Sequence, residues 1–292
     1  MRVTSQMIMD STLYNIQSNQ NRIEQLQAQI TSGSRITKPS DDPIGAARAL
    51  NLQDSIAQSQ QYQRNIDQAK SWMNTTDAAL DAVTQATQRA RELAVQASNG
   101  TLSATERTAI SSEISQLQQH VLDLTHSKYG SYYLFSGTAS SAPGYTTAAP
   151  SPGGYQANSA QVMREVAPGT SIGVNADATA TFDPLFTALQ TLQTGLTSGS
   201  TGTIQGSITQ IDSALDAVSV SRSQLGAKVN RLDFLQTRQS SVEVNLTGLL
   251  STTKDVDMAE AITNFTMAQN VYQASLKAGA QALQPSLLDY LK

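Results

Sequence analysis

The residue types that do chemistry are few in this chain, and their spacing does not suit catalysis. Its two histidines, His120 and His126, stand six apart on a predicted helix, so they do not share a face as i, i+4 zinc ligands must. Partly exposed helix positions account for both. Asp41 and Asp42 have the composition of a cation site or an acid/base pair. Pro43 follows directly, however, and a proline belongs in the first turn of a helix whose cap is the preceding aspartate. Ser198-Gly199-Ser200-Thr201-Gly202 is glycine-rich but has no following lysine, the residue a phosphate-binding loop most needs. No Gly-x-Ser-x-Gly elbow occurs. Trp72-Met73 and the Tyr/Phe group at 129–135 lack the interleaved basic residues of a base-stacking platform, and core packing explains them better. The sequence therefore predicts no catalytic residue, no metal ligand and no cofactor.

The composition points the same way. Lys+Arg number 19 against Asp+Glu 23, a net charge of −4, which is not the electrostatic footprint of a nucleic-acid binder. Cysteine is absent, which removes disulfides and thiolate sites. No apolar run approaches the roughly 18 residues of a membrane span, and the start Met1-Arg2-Val3-Thr4-Ser5-Gln6 lacks the apolar stretch of a cleavable signal. Neither a membrane partner nor a cleaved leader is expected. Charged residues are only 14% of the chain, and such a weakly charged surface costs little to desolvate against neighbouring copies.

The elements follow from hydrophobic spacing. Met9, Leu13, Ile16, Ile23, Leu26 and Ile30 fall on one narrow helical stripe that ends near Gly33. Lys38-Pro39-Ser40 then forces a non-helical link, and Asp42-Pro43 caps a second helix, with Asp41 adding favourable charge at its positive end. In that helix Ile66, Ala69, Met73, Thr76, Leu80, Val83, Thr87, Ala90, Ala94 and Ala97 alternate steps of 3 and 4 without a slip. Ser103-Ala104-Thr105-Glu106 is a capping box that opens a third helix with the stripe Ile110, Ile114, Leu117, Val121 and Leu124. From Ser136 to about Asp183 the chain is rich in Gly, Pro, Ser, Thr and Ala, with candidate strands at 161–166 and 171–174.

Helix is expected to resume at Asp183-Pro184 and to break between Gly195 and Gly202. A long helix follows on Ile204, Ile208, Ile211, Leu215, Val218, Leu225, Val229 and Leu232, with one skipped position at Arg222. The last helix opens at Asp257-Met258-Ala259-Glu260 and carries Ile262, Phe265, Tyr272, Leu276, Leu283 and Leu287. The fold expected is mainly α, a long antiparallel coiled-coil-like helical rod with a small β-rich insertion domain. Its divisions are terminal helices at 1–40 and 253–292, a helical rod domain at 41–138 and 183–252, and a surface insertion at 139–182. The twelve stripe residues of the two terminal helices form the expected assembly seam. Their thin apolar stripe and sparse charge pairing predict that the ends, 1–40 and 253–292, are largely unfolded in the free chain and fold on assembly.

Several segments resemble the flagellin superfamily. At the N-terminal end these are Met1-Arg2-Val3-Thr4, Gln20 to Leu26, the run Ser32-Gly33-Ser34-Arg35-Ile36-Thr37-Lys38-Pro39-Ser40-Asp41-Asp42-Pro43, and Ala46-Ala47-Arg48-Ala49-Leu50. At the other end they are Asp255-Val256-Asp257-Met258-Ala259-Glu260-Ala261 and Leu287-Leu288-Asp289-Tyr290-Leu291. Ser40-Asp41-Asp42-Pro43, Tyr132-Tyr133-Leu134-Phe135-Ser136-Gly137 and the Asp-Tyr-Leu ending are more similar to the hook–filament junction branch than to filament subunits. The resemblance implies a structural, non-enzymatic flagellar subunit outside the cell, exported without cleavage. It implies four partners: neighbouring copies, an adjacent hook-associated protein, flagellin, and a cytoplasmic export chaperone on the C-terminal helix. The rival readings are a self-polymerising filament subunit and a coiled-coil secretion or adhesion factor binding through the insertion.

Overall fold

The computed structural model describes residues 5–150 and 153–282. Six helices occur among them: α1 (Ser5–Ser32), α2 (Pro43–Ser98), α3 (Ala104–Thr125), α4 (Ala178–Ser198), α5 (Thr201–Lys254) and α6 (Met258–Ala282). Two small antiparallel sheets pair β1 (Lys128–Tyr129) with β2 (Tyr132–Tyr133), and β3 (Met163–Ala167) with β4 (Thr170–Gly173). The chain divides into two compact units, Ser59–Val242 and Met1–Gln58 with Glu243–Lys292. These divisions fall inside α2 and α5, where no loop or composition change marks them, unlike the expected breaks near 40 and 253.

In the Ser59–Val242 unit the α2 stripe is the spine of the core. Every residue of the uninterrupted stripe from Ile66 to Ala97 is at most 2% exposed. Its later half is Thr and Ala, which lets neighbouring helices approach closely. Facing it are Ile204, Ile211, Val218, Leu225 and Leu232 of α5, all buried. The pairing is antiparallel, and polar contacts record its register. Arg91 meets Asp212, Asp77 and Asp81 meet Arg222, Lys70 meets Asp233, and Ser59 accepts from Gln239 Nε2 at 2.6 Å. As numbers fall along α2 they rise along α5. α3 packs on α4, and its capping box is present as expected, with the Ser103 side chain accepting from Glu106 N and the Glu106 side chain accepting from Ser103 N.

The segment 139–182 differs from a surface insertion with a minor core of its own. Tyr145, Tyr155, Val166 and Ile172 are buried in the same apolar cluster as the helices. Tyr145 is the centre of an aromatic group with Tyr155, Phe182 and Phe186, ring centroids 5.0 to 5.9 Å apart, each pair adding about 0.5–1.5 kcal/mol beyond its burial. Large aromatics at wide spacing in a Gly/Ser-rich stretch leave no periodic signal. The start of α4 also differs from the expected Asp183-Pro184 cap. Asp177 is the cap, its side chain accepting from Thr179 N and Ala180 N, and Pro184 lies inside the helix. Asp183 instead accepts a 2.6 Å hydrogen bond from the Tyr145 hydroxyl. Trp72 is buried against Tyr129, as core packing requires, with its Nε1 making no hydrogen bond among the described residues.

A candidate assembly surface

The described residues of Met1–Gln58 and Glu243–Lys292 form the second unit, in which α1 packs along α6. Asn19 Nδ2 donates to Ser275 Oγ at 2.9 Å, and a side chain on Gly279 would come within 3.0 Å of Thr12 and 3.5 Å of Ile16. At the other end the backbones of Ser34 and Asp255 form an antiparallel bridge. α1 and α6 are thus antiparallel, with Thr12 near the start of α1 beside Gly279 near the end of α6.

The contact between these helices is thin. From α1 it takes Thr12, Ile16, Asn19, Ile23, Leu26 and Ile30, all half-buried; from α6 the more covered positions are Ala261, Phe265, Ala268, Tyr272, Ser275 and Gly279. Four residues of the expected seam lie elsewhere. Met9 is 44% exposed, Leu13 54%, Ile262 50% and Leu276 43%. Spacing put these four on the inner stripe, but Thr12, Asn19, Ala268 and Ser275 are small or polar enough to let the helices close there instead. Leu283 and Leu287 lie outside the described residues, as do Met1 to Thr4 and the Leu287 to Leu291 ending.

The turn joining α1 to α2 is held by aspartates. Asp42 caps α2 as expected, its Oδ1 accepting from Gly45 N at 2.8 Å, and Pro43 is the first helical residue. Asp41 has a different task from the helix-end charge expected of it. Its Oδ2 accepts from Thr37 N, Thr37 Oγ1 and Lys38 N at 3.1, 2.8 and 2.8 Å, closing the loop on itself, and Ser40 lies within that turn. These bonds, Thr37's hydroxyl foremost, hold the Asp41 carboxyl below its usual pKa. The Gly45 amide and Arg35, at 3.2 Å, do the same for Asp42. Arg35 also ties the turn to the α5–α6 link, with its backbone N donating to Lys254 O and Nη2 to Thr253 O. Val256 N donates to Gly33 O, and Ser34 Oγ to Lys254 O.

Beside this turn opens an apolar groove of about 170 Å³, walled by Ile36, Pro39, Ala46, Ala49 and Leu50, with Lys38 and Lys254 also on its lining. Leu50 is 62% exposed. Sequence spacing did not single out this groove, because its lining comes from a loop, α2 and the end of α5.

Chemistry of other kinds finds no geometry among the described residues. No group of three His, Cys, Asp or Glu side chains is placed to hold a metal. His126 is engaged through Nε2 with Tyr145 O at 2.8 Å. No helix is long and apolar enough to cross a membrane. What the second unit does display is apolar surface. Met7, Met9, Leu13 and Tyr14 of α1, and Met258, Ile262, Met267, Val271 and Leu276 of α6, are all exposed. Two slender helices with apolar side chains on their outer faces form a surface that neighbouring proteins can cover.

Known proteins are similar to this chain in sequence and in fold. The bacterial flagellin N-terminal helical region matches residues 3–140, and the bacterial flagellin C-terminal helical region matches residues 208–291. Flagellar hook-associated protein 3 of Escherichia coli strain K12 is 29% identical, over 95% of this chain and 96% of its own. Flagellar filament core protein flaB2 of Brachyspira hyodysenteriae is 30% identical, over 87% of this chain and 86% of its own. The crystal structure of Bacillus cereus FlgL superposes with a TM-score of 0.60 at 24% identity, covering 69% of this chain and 99% of that one, a likeness of fold.

Proposed function

Because the chain belongs to the bacterial flagellin family, we propose that it is the structural subunit joining hook to filament in the bacterial flagellum. It assembles at the distal end of the hook and is the base on which flagellin polymerises. The relative that carries this reading is hook-associated protein 3, matched over nearly the whole of both chains. The observation of this molecule that supports it is the apolar outer surface of the α1–α6 pair. A pair that meets through Thr, Asn, Ser, Ala and Gly as well as through its large apolar residues buries only part of its apolar surface, and burying Met9, Leu13, Ile262 and Leu276 needs other chains. In this reading the ten described residues of the seam are divided. Ile16, Ile23, Leu26, Ile30, Phe265 and Tyr272 join α1 to α6, and the exposed four face neighbours.

The partners follow: copies of the chain on either side, an adjacent hook-associated protein below and flagellin above. Head-to-tail contacts of this kind extend along a helix instead of closing into a dimer. Export without a cleaved leader, with a chaperone covering the apolar faces of α6 until export, belongs to the same reading. The protein acts by contact, and no enzymatic step is assigned to it.

Electron microscopy of cells lacking the gene, with assay of the medium for flagellin, tests the proposal. Hooks without filaments and flagellin shed outside are expected. Filaments of normal length would overturn it, and loss of the filament protein itself would assign the chain to the filament, the reading favoured by its likeness to the Brachyspira filament core protein.

A further inference from the structure

The groove beside the turn has a size, a charge and a position that select an occupant. A cavity of about 150 Å³ lined by apolar side chains accommodates benzene, so the groove's 170 Å³ admits one aromatic ring. Its lining is apolar except for Thr37, Gln53 and two lysines. Lys38 lies near Asp41, and Lys254 makes no ion pair among the described residues. The fitting ligand is an aromatic side chain with a carboxylate close by.

α1 presents that combination on its outer face. Tyr14 is 76% exposed, and Asp10, one turn before it, is exposed too. Tyr14 sits about 200° around the helix from both Thr12 and Ile16, which face α6, and Asp10 about 200° from Thr12 and about 240° from Ile16, so they point away from it. Met7 extends the same face at i, i+3, i+7 spacing. Asp10 makes no ion pair among the described residues. The groove opens beyond the other end of α1. From Tyr14 to Ser32 is roughly 27 Å of helix at 1.5 Å per residue, so a chain cannot place its own Tyr14 in its own groove.

We propose that the Leu50 groove receives Tyr14 of a second copy of this chain, with that copy's Asp10 facing Lys254 and Lys38. The contact is heterologous. Each copy offers a ring at one end of α1 and a groove past the other, so neighbours are staggered by about the length between them. This rests on the reading that the chain assembles with its own kind, and it names the contact that sets the stagger.

The chain has no cysteine, so single thiols report the contact cleanly. Ser18→Cys lies one turn from Tyr14 on the same face, and Gln53→Cys lies on the groove lining; neither removes an anchor. The two full-length variants are co-expressed, flagella are isolated, and a short bis-thiol cross-linker is applied. Linked pairs of one Ser18→Cys chain with one Gln53→Cys chain are expected. Flagella that contain the chain but give no mixed pair, or only pairs of like variants, would overturn the groove contact alone. Flagella whose hook–filament junctions lack the chain would overturn the proposed function with it.

A second measurement follows incorporation. Tyr14→Ala is expected to weaken copy-to-copy association about thirtyfold, as for a buried aromatic anchor. Asp10→Lys should reduce incorporation, and adding Lys254→Asp should restore it. A double variant as defective as Asp10→Lys alone would overturn the charge pairing.

Discussion

Arg222 of α5 grips Asp77 and Asp81 of α2 together, with Nε 2.9 Å from one carboxylate and Nη1 2.9 Å from the other. The two aspartates stand one helical turn apart and present their carboxylates to a single guanidinium. Such charge-assisted bonds are stronger than neutral ones, but the arginine side chain is 32% exposed and the aspartates 46% and 47%, so water screens much of the gain. Arg222→Ala is expected to lower stability by about 1 kcal/mol, seen as a lower urea midpoint with unchanged slope, and the difference should shrink in high salt.

Arg222 also shows how much of this fold its sequence displays. The 4, 3 rhythm of α5 skips that position, and the structure fills the skip with the ion pair that fixes the α2–α5 register. The long stripes were legible because a buried face of a long helix must repeat every 3.6 residues, and so were the caps at Ser103, Asp42 and Asp257, because each is a local device. Features set by tertiary packing were not legible. Asp177, five residues inside the expected loop, outcompetes Asp183-Pro184 as a cap because Ala178, Thr181 and Phe182 are pulled into the core, a tertiary effect. At the candidate surface, spacing could show that α1 and α6 each carry a stripe. It could not show which side of that stripe faces the partner helix, since Thr12, Asn19 and Ser275 carry no hydrophobic signal.

Tyr145 is the second place where a single atom can be tested. Its ring is fully buried, and its hydroxyl donates to Asp183 at 2.6 Å. Burial and that neighbouring carboxylate push the phenol far above its usual pKa, so it stays a donor at every pH the fold survives. Tyr145→Phe keeps the ring and removes the donor, and thermal unfolding should report a loss of about 1–3 kcal/mol. Tyr145→Ala also opens a cavity among Tyr155, Phe182 and Phe186 and should cost about 3–5 kcal/mol.

Gly45 is buried in the first turn of α2 beneath the Asp42 cap. A Cβ there would overlap Asp42 Oδ2 and come within 2.7 Å of Ile36 Cδ1. Alanine normally strengthens a helix, so a destabilising Gly45→Ala would run against propensity. We expect a loss of about 1 kcal/mol or more, the scale of a disrupted cap, with faster amide exchange at Thr37 and Lys38. Gly226, within α5 and with open space around its Cα, is the control, and Gly226→Ala should stabilise by up to about 1 kcal/mol.

The turn between α1 and α2 should be acid-sensitive. The folded state lowers the pKa of both Asp41 and Asp42, through Thr37 and Lys38 for the first and Gly45 and Arg35 for the second. A carboxyl with a depressed folded pKa contributes stability that is fully present above its unfolded value, near 3.9, and is lost as pH falls through the folded one. Amide exchange at Thr37, Lys38 and Gly45 should therefore be slow at neutral pH and accelerate below about pH 4. Asp41→Asn should remove the pH dependence at Thr37 and Lys38 and leave Gly45 titrating. A turn equally protected at pH 2 would contradict the assignment.

The α1–α6 pair is the last test, and it separates the free chain from the assembled one. The faces that meet are small and polar for much of their length, with Asn19 on Ser275 and Thr12 beside Gly279, while Met9, Leu13, Ile262 and Leu276 are left exposed. A pair with so thin an apolar seam gains little over separate helices, and a helix in a protein draws most of its stability from packing an apolar face rather than from propensity. The core of the other unit, with the α2 stripe from Ile66 to Ala97 at most 2% exposed, opens only at much higher cost. Amides of α1 and α6 in the purified full chain are therefore expected to exchange orders of magnitude faster than those of Leu80 or Val83, and to become protected in isolated flagella. Full protection in the free chain would show that the ends are folded before assembly. The exposed apolar faces would then be preformed contact surfaces, not surfaces that fold as they bind.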